Sequence, residues 1–288
     1  MSSNDYRFVF FGTPRFAVRV LDALEEHSLI PALIVTAPDR PKGRGLEVQP
    51  SPVKEWAEKR DIDVITPTTL KDADLVAELS NTEWDFFVTA AYGKLIPKSV
   101  LDIPRKGSLN VHPSLLPKFR GPSPVLSAIL GDARETGVTI MLMDEGMDTG
   151  PILSAARIEI DEEDWPMHGS VMEDLLSTEG GNFLSETIPD WMDGKIVPEI
   201  QKDAEATYSK KFTPEDARIN LADDPHSNLL KIRAFDKNPR AHTQDENGKR
   251  LIITEAEVSD GKLNILRVIP EGKKEMPYAD YLRAHAVS

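Results

Sequence analysis

Two hydrophobic patterns alternate along the first half of the chain. Residues 7–11 (RFVFF) form a nearly continuous apolar run closed by Gly12-Thr13-Pro14, as expected of a strand buried on both faces. From Phe16 to Glu26 apolar positions recur at helical spacing, with Thr13 placed to act as N-cap and Pro14 at the first helical position. Strand-like runs return at residues 30–36, 64–65, 84–90, 107–112 and 138–143, and helical patterns fall at 52–59 and 72–79. Strands alternating with helices over short links predict an α/β fold, a doubly wound and mostly parallel sheet covered on both faces. Such sheets bind ligands at the carboxyl ends of their strands.

Past residue 150 the pattern changes. Residues 167–184 read as a long helix that 188–191 continue, with Pro189 expected to kink or restart it. Residues 195–206 are polar without periodicity and read as a linker. Thr213-Pro214-Glu215-Asp216 has the form of a helix start, with a hydroxyl N-cap, proline at N1 and acids in the first turn. Residues 250–258 and 263–269 are strand-like and separated by Asp260-Gly261, which predicts a small β-rich C-terminal domain. The expected division is 1–206 and 207–288.

Composition narrows the class. A hydrophobic content of 40% is enough for a real core. No apolar run approaches the ~18–20 residues of a membrane helix. The polar opening Met1-Ser2-Ser3-Asn4-Asp5 lacks the basic and apolar regions of a secretory signal. The absence of cysteine excludes a disulfide, a thiol nucleophile and a thiolate zinc site, and it fits a cytoplasmic protein. The net charge of −14 is uneven: residues 208–288 hold 14 Lys and Arg against 13 Asp and Glu, which leaves 20 against 35 before them. Nucleic-acid binders are usually basic, so charge alone argues against a polynucleotide substrate.

Two stretches carry candidate chemistry. In 108–117 (SLNVHPSLLP), Asn110 and His112 are two apart on a predicted strand and leave the same face. Pro113 cannot continue a central ladder, so the pair belongs near the strand's carboxyl end. An amide donor beside a titratable imidazole suits stabilisation of an oxyanion and movement of a proton near neutral pH. A strand-end Asn and a backbone-bonded His would read the same way. In 141–151 (MLMDEGMDTGP), a strand enters a loop with two glycines and three acids. An acid there could orient or charge-balance His112, and a solvated acidic turn would look alike. No second His stands at metal-ligand spacing, so no metal is expected.

Together these stretches resemble the 10-formyltetrahydrofolate-dependent formyltransferases. The resemblance extends to 10–17 (FFGTPRFA), to Pro38-Asp39-Arg40-Pro41 and Gly43-Arg44-Gly45, and to Pro50-Ser51-Pro52-Val53-Lys54. It continues through 90–97 (AAYGKLIP), 120–124 (RGPSP), 135–140 (ETGVTI) and 232–235 (IRAF), in order and over nearly the whole chain. It implies that Asn110, His112 and Asp148 are the catalytic trio. It implies folate contacts at Ser114, Leu115, Leu116 and Pro117, at Tyr92, Lys94 and Ile96, and at Met143 and Asp144. The 38–54 loop and the 232–235 segment are those of the branch that formylates the α-amine of initiator methionyl-tRNA for translation initiation. In that branch 10-formyltetrahydrofolate is a cosubstrate, and the C-terminal domain, shortened in this chain, would help hold tRNA. The implied tRNA contacts are Lys42, Arg44 and Lys54, and Lys210, Lys211 and Arg233, with Arg240, Lys249 and Arg250 as further candidates. Two features depart from the pattern: Leu46-Glu47 stands where adjacent lysines are common, and the C-terminal domain is short and near-neutral. Transfer to a nucleotide amino sugar, hydrolysis of the formyl donor and a non-catalytic RNA-binding role remain as alternatives. No membrane or obligate protein partner is implied.

Overall fold

A computed structural model describes residues 6–42 and 47–285. In chain order the elements are β1 (Phe8–Gly12), α1 (Arg15–Glu26), β2 (Leu33–Val35), β3 (Arg40–Lys42), β4 (Glu47–Gln49), α2 (Pro52–Glu58) and β5 (Val64–Ile65). Then follow α3 (Ala73–Ser80), β6 (Phe86–Ala90), α4 (Lys98–Leu101), β7 (Ser108–His112), α5 (Pro124–Leu130), β8 (Thr136–Leu142) and β9 (Ile152–Ile158). The chain closes with α6 (Gly169–Met192), α7 (Pro225–Ala234), β10 (His242–Gln244), β11 (Arg250–Ser259), β12 (Lys262–Pro270), β13 (Met276–Pro277) and α8 (Tyr278–His285). They divide into two compact units. One holds the residues up to Pro122, Thr136–Ile158 and Asp174–Tyr208; the other holds Ser123–Glu135, Glu159–Glu173 and the residues from Ser209 on.

The first unit is built on a seven-stranded sheet of order β5-β2-β1-β6-β7-β8-β9. Five strands run parallel; β8 pairs antiparallel to β7, and β9 antiparallel to β8. The apolar run of β1 is buried at every position because parallel neighbours flank it on both sides. One sheet face, through Val9, Phe11, Val35 and Phe87, packs on Leu79, Val100, Leu101, Tyr92 and Ile96. On the opposite face two glycines of α6 permit close approach. A Cβ on Gly180 would lie 2.7 Å from Val111, and one on Gly181 would lie 2.6 Å from Ala23 and 2.9 Å from the Val20 carbonyl of α1.

In the second unit, β10-β11-β12-β13 form a four-stranded antiparallel sheet, with α7 against β11 and β12 and α5 against α7. Asp132 ties three of its segments together. Its carboxylate accepts from Trp165 Nε1 at 2.6 Å and meets His226 Nε2 at 3.0 Å.

Several expectations need correcting. Thr13 does not cap α1: Pro14 is the N-cap residue, and the Thr13 hydroxyl donates to the Tyr92 carbonyl at 3.2 Å. The Thr213 motif makes a turn rather than a helix. Asp216 accepts from the Thr213 amide at 2.8 Å, but Ile219 then donates to His242 O and Arg218 bridges to His242, which draws the chain into an extended course. The helix begins at Pro225 instead, capped by Asp224 through the Ser227 amide at 2.8 Å. Helix α6 runs through Pro189 without restarting. Residues 195–206 are no free linker, because Ile152 and Glu199 exchange two 2.8 Å backbone hydrogen bonds and Gln201 is buried. The β9 strand was not expected, since its Ser, Ala and Arg residues give no continuous apolar run.

The α6 contact yields a test. Gly181→Val places a side chain against the backbone of α1, and we expect it to destabilise the protein by about 1–3 kcal/mol. The measurement is a denaturant midpoint; an unchanged midpoint would show that the close approach is not required.

Candidate active site

Strand β7 carries the candidate pair because both its neighbours bury it: Asn110 lies in register with Thr89 of β6 and with Met141 of β8. Asn110 and His112 are 8% and 4% exposed, so neither is a solvated surface residue. The strand ends at His112, as Pro113 requires.

The imidazole is fixed from both sides. His112 Nε2 lies 3.1 Å from the Phe119 carbonyl oxygen. A carbonyl only accepts, so Nε2 carries the proton. Nδ1 is then the nitrogen that titrates, and it faces Asp148 Oδ1 at 3.7 Å. Asp148 is held in turn, since the Gly121 amide donates to its Oδ2 at 2.7 Å. Its backbone is left-handed, with φ 54°. Burial pushes the His112 pKa below its ordinary value; the Asp148 charge and the Phe119 carbonyl oppose that shift without reversing it.

Asn110 forms no side-chain hydrogen bond among the described residues. Two more polar atoms at this edge, Thr89 Oγ1 and Tyr92 OH, are buried without a partner among them. Burial alone pushes the Tyr92 hydroxyl up to about 12, so it stays protonated as a donor. Buried polar groups without partners are costly, so an edge that keeps them together fits a ligand that supplies the missing bonds.

The formyl transferase family profile matches residues 6–188, a span that includes all three members of the trio. The chain belongs to the formyl transferase family. Curated relatives of this formyl transferase include methionyl-tRNA formyltransferases from Caldanaerobacter subterraneus subsp. tengcongensis, 37% identical over 98% of this chain and 97% of the relative. One from Thermus thermophilus is 36% identical over 98% and 97%. Among solved structures, methionyl-tRNA formyltransferase from Clostridium thermocellum has the same fold, with a TM-score of 0.59, 18% identity and coverage of 92% and 98%. A sugar N-formyltransferase from a Shewanella species also shares it, with a TM-score of 0.63, 16% identity and coverage of 88% and 99%.

The other expected contacts of this formyl transferase are placed as follows. The Ser114 hydroxyl donates to Lys118 O at 2.7 Å, and Leu116 N donates to Thr139 Oγ1 at 3.1 Å, which pins the 114–117 segment against β8. Leu116 is buried, while Leu115 and Pro117 are half-buried. Lys94 Nζ donates to the Pro67 and Thr68 carbonyls at 2.7 and 3.2 Å. Ile96 lies in the core cluster and Met143 packs against it. Asp144 shapes its own loop by accepting from Gly146 N and Thr149 Oγ1. Of the basic candidates, Lys54 pairs with Asp39 at 2.7 Å, Lys210 with Asp216, and Arg233 with Glu255 at 3.1 Å. Lys211, Lys249 and Arg250 are exposed and Arg240 is half-buried. Arg44 and the side chain of Lys42 lie outside the described residues.

Sequence reasoning passed over Phe119, Gly121 and Gln201. The first two act through backbone atoms, and Gln201 stands in a polar run with no periodic signal.

The lowered His112 value fixes the sign of a pH effect. The unfolded chain binds a proton near 6.5, whereas the folded chain resists it until lower pH. The stability linked to neutral His112 is therefore complete above 6.5 and is lost as pH falls through the folded value. We expect His112→Gln to flatten the loss of thermal stability on that acid side. An identical pH dependence in the variant would contradict the burial argument.

Proposed function

We propose that this formyl transferase moves a formyl group from 10-formyltetrahydrofolate to the α-amine of initiator methionyl-tRNA. The observation that carries the reading is an unpartnered Asn110 amide beside a His112–Asp148 pair at the carboxyl edge of the sheet. It occurs in a chain that aligns almost end to end with methionyl-tRNA formyltransferases. The bound donor would supply the formyl carbon. Ser114–Pro117, Tyr92, Lys94, Ile96, Met143 and Asp144 are its proposed surroundings.

As the amine adds, negative charge builds on the formyl oxygen, and the Asn110 amide donates to it. The amine sheds a proton toward His112 Nδ1, whose charged form Asp148 stabilises. With Nε2 tied to Phe119, that proton can leave only from Nδ1, and through water it reaches the departing nitrogen. The positive imidazole adds its field to that of Asn110 while charge is on the oxygen. Residues 207–288 act in this reading as the domain that helps hold tRNA. The setting is the cytoplasm; no helix among the described residues is long and apolar enough to cross a membrane.

The assay supplies the donor with methionyl-tRNA, with a nucleotide amino sugar, or with no acceptor. Formylation of methionyl-tRNA is expected; transfer only to the sugar, or only to water, would replace this reading. Asn110→Ala and His112→Ala should each lower turnover by ~10²-fold or more while the donor still binds. Near-wild-type rates would remove the trio from the chemistry.

The acceptor's phosphates give a second measurement. Arg44→Ala should weaken methionyl-tRNA binding and reduce the slope of log affinity against log salt by about one unit, with donor binding unchanged. An unaltered slope would place the grip elsewhere.

A further inference from the structure

We propose that Gln201 is a positioning residue for Asp148, holding the backbone on both sides of that carboxylate in its working orientation. The proposal rests on the assignment of Asp148 made above. The Gln201 amide nitrogen donates to the Asp148 carbonyl at 2.9 Å and to the Gly150 carbonyl at 2.7 Å. Its oxygen accepts from Arg120 Nε at 2.9 Å. Both donors and the acceptor are therefore used, on a side chain that is buried. The amide has one possible orientation. Rotated by half a turn, it would set its oxygen against two carbonyls and its NH2 against the guanidinium N–H.

Arg120 supplies the fixed point. It is 1% exposed; its Nη1 donates to Asp203 Oδ1 at 2.9 Å, and its backbone amide donates to the Thr207 carbonyl at 2.9 Å. Its neighbours in sequence hold the reacting pair, with Phe119 accepting from His112 Nε2 and Gly121 donating to the Asp148 carboxylate. Three consecutive residues thus meet His112, Gln201 and Asp148. Asp148 is gripped at its carboxylate by Gly121 and at its carbonyl by Gln201. The left-handed backbone of a non-glycine residue persists only where its surroundings fix it, and Gln201 provides that constraint at Asp148. Gly150 completes the fit, since a Cβ there would stand 1.9 Å from the Leu142 carbonyl oxygen. The segment around Gln201 is therefore part of the site's support.

The test uses the full chain and a two-by-two cycle. Gln201→Glu keeps the size and the acceptor toward Arg120 but sets an oxygen against the two carbonyls. We expect kcat to fall by about tenfold or more, with both KM values within about twofold of wild type, because a small misplacement of a reacting group costs turnover rather than binding. In an Asp148→Asn background the same change should alter kcat by less than about twofold, since no carboxylate is left to place. Equal losses in both backgrounds, or a wild-type kcat in the single variant, would overturn the proposal. Gln201→Asn, which keeps the amide one methylene short, gives the same comparison if Gln201→Glu does not fold. A wild-type rate for Asp148→Asn alone would remove the assignment of Asp148 and the proposal with it; an inactive Asp148→Asn beside an unaffected Gln201→Glu would remove the proposal only.

Discussion

An imidazole buried at the edge of a sheet must find a partner for its protonated nitrogen, and here the Phe119 carbonyl is that partner. This single hydrogen bond decides which nitrogen titrates and which way it faces. With Nε2 committed, Nδ1 is the nitrogen left to act as a base in the proposed reaction, and Asp148 is the acid set against it among the described residues. Low exposure makes the arrangement matter, because in a medium less polarisable than water the Asp148 charge acts strongly and the neutral ring is favoured until a proton is offered. The loop that supplies Phe119 must therefore be as well fixed as the strand that supplies His112. It is, through Thr207, whose hydroxyl accepts from the Phe119 amide at 2.8 Å and whose carbonyl accepts from Arg120.

The organisation of the chain serves that loop. Residues 114–121 leave β7, are tied to Thr139 of β8, and are then laced to 201–208, so segments remote in sequence meet at one place. The antiparallel β8 passes beside His112 and ends beside Leu109, so it is the loop after β8 that must return to set Asp148 3.7 Å from the imidazole. The basic side chains follow a different logic. Lys54, Lys210 and Arg233 each have a carboxylate partner, so in the proposed grip on the acceptor a phosphate would compete with Asp39, Asp216 or Glu255 for them. In a chain of net charge −14 that exchange would keep non-specific attraction of a polyanion low.

Much of this was legible in the sequence. The apolar runs 7–11 and 84–90 could only be buried strands, and Asn110 and His112 had to share a face because strand periodicity is two. Asp148 was reachable through its glycine-framed loop and the family resemblance. What could not be read was anything that works through backbone atoms or through a single buried side chain. Phe119 and Gly121 hold the pair by a backbone carbonyl and a backbone amide, groups that every residue but proline possesses. Gln201 gave no signal because one buried amide in a polar run has no period. The Thr213 motif misled for the opposite reason: its local chemistry is that of a helix start, but pairing of Arg218 and Ile219 with His242 prevailed over it.

The most direct test is the state of the His112 ring itself. Nitrogen-15 shifts of ring-labelled histidine, recorded across a pH series and assigned by comparison with a His112→Gln variant, report the tautomer and its titration. The account predicts that Nε2 stays protonated throughout and that Nδ1 takes up its proton only below the ordinary value of 6.5. A neutral ring protonated at Nδ1, or a titration at or above 6.5, would contradict it.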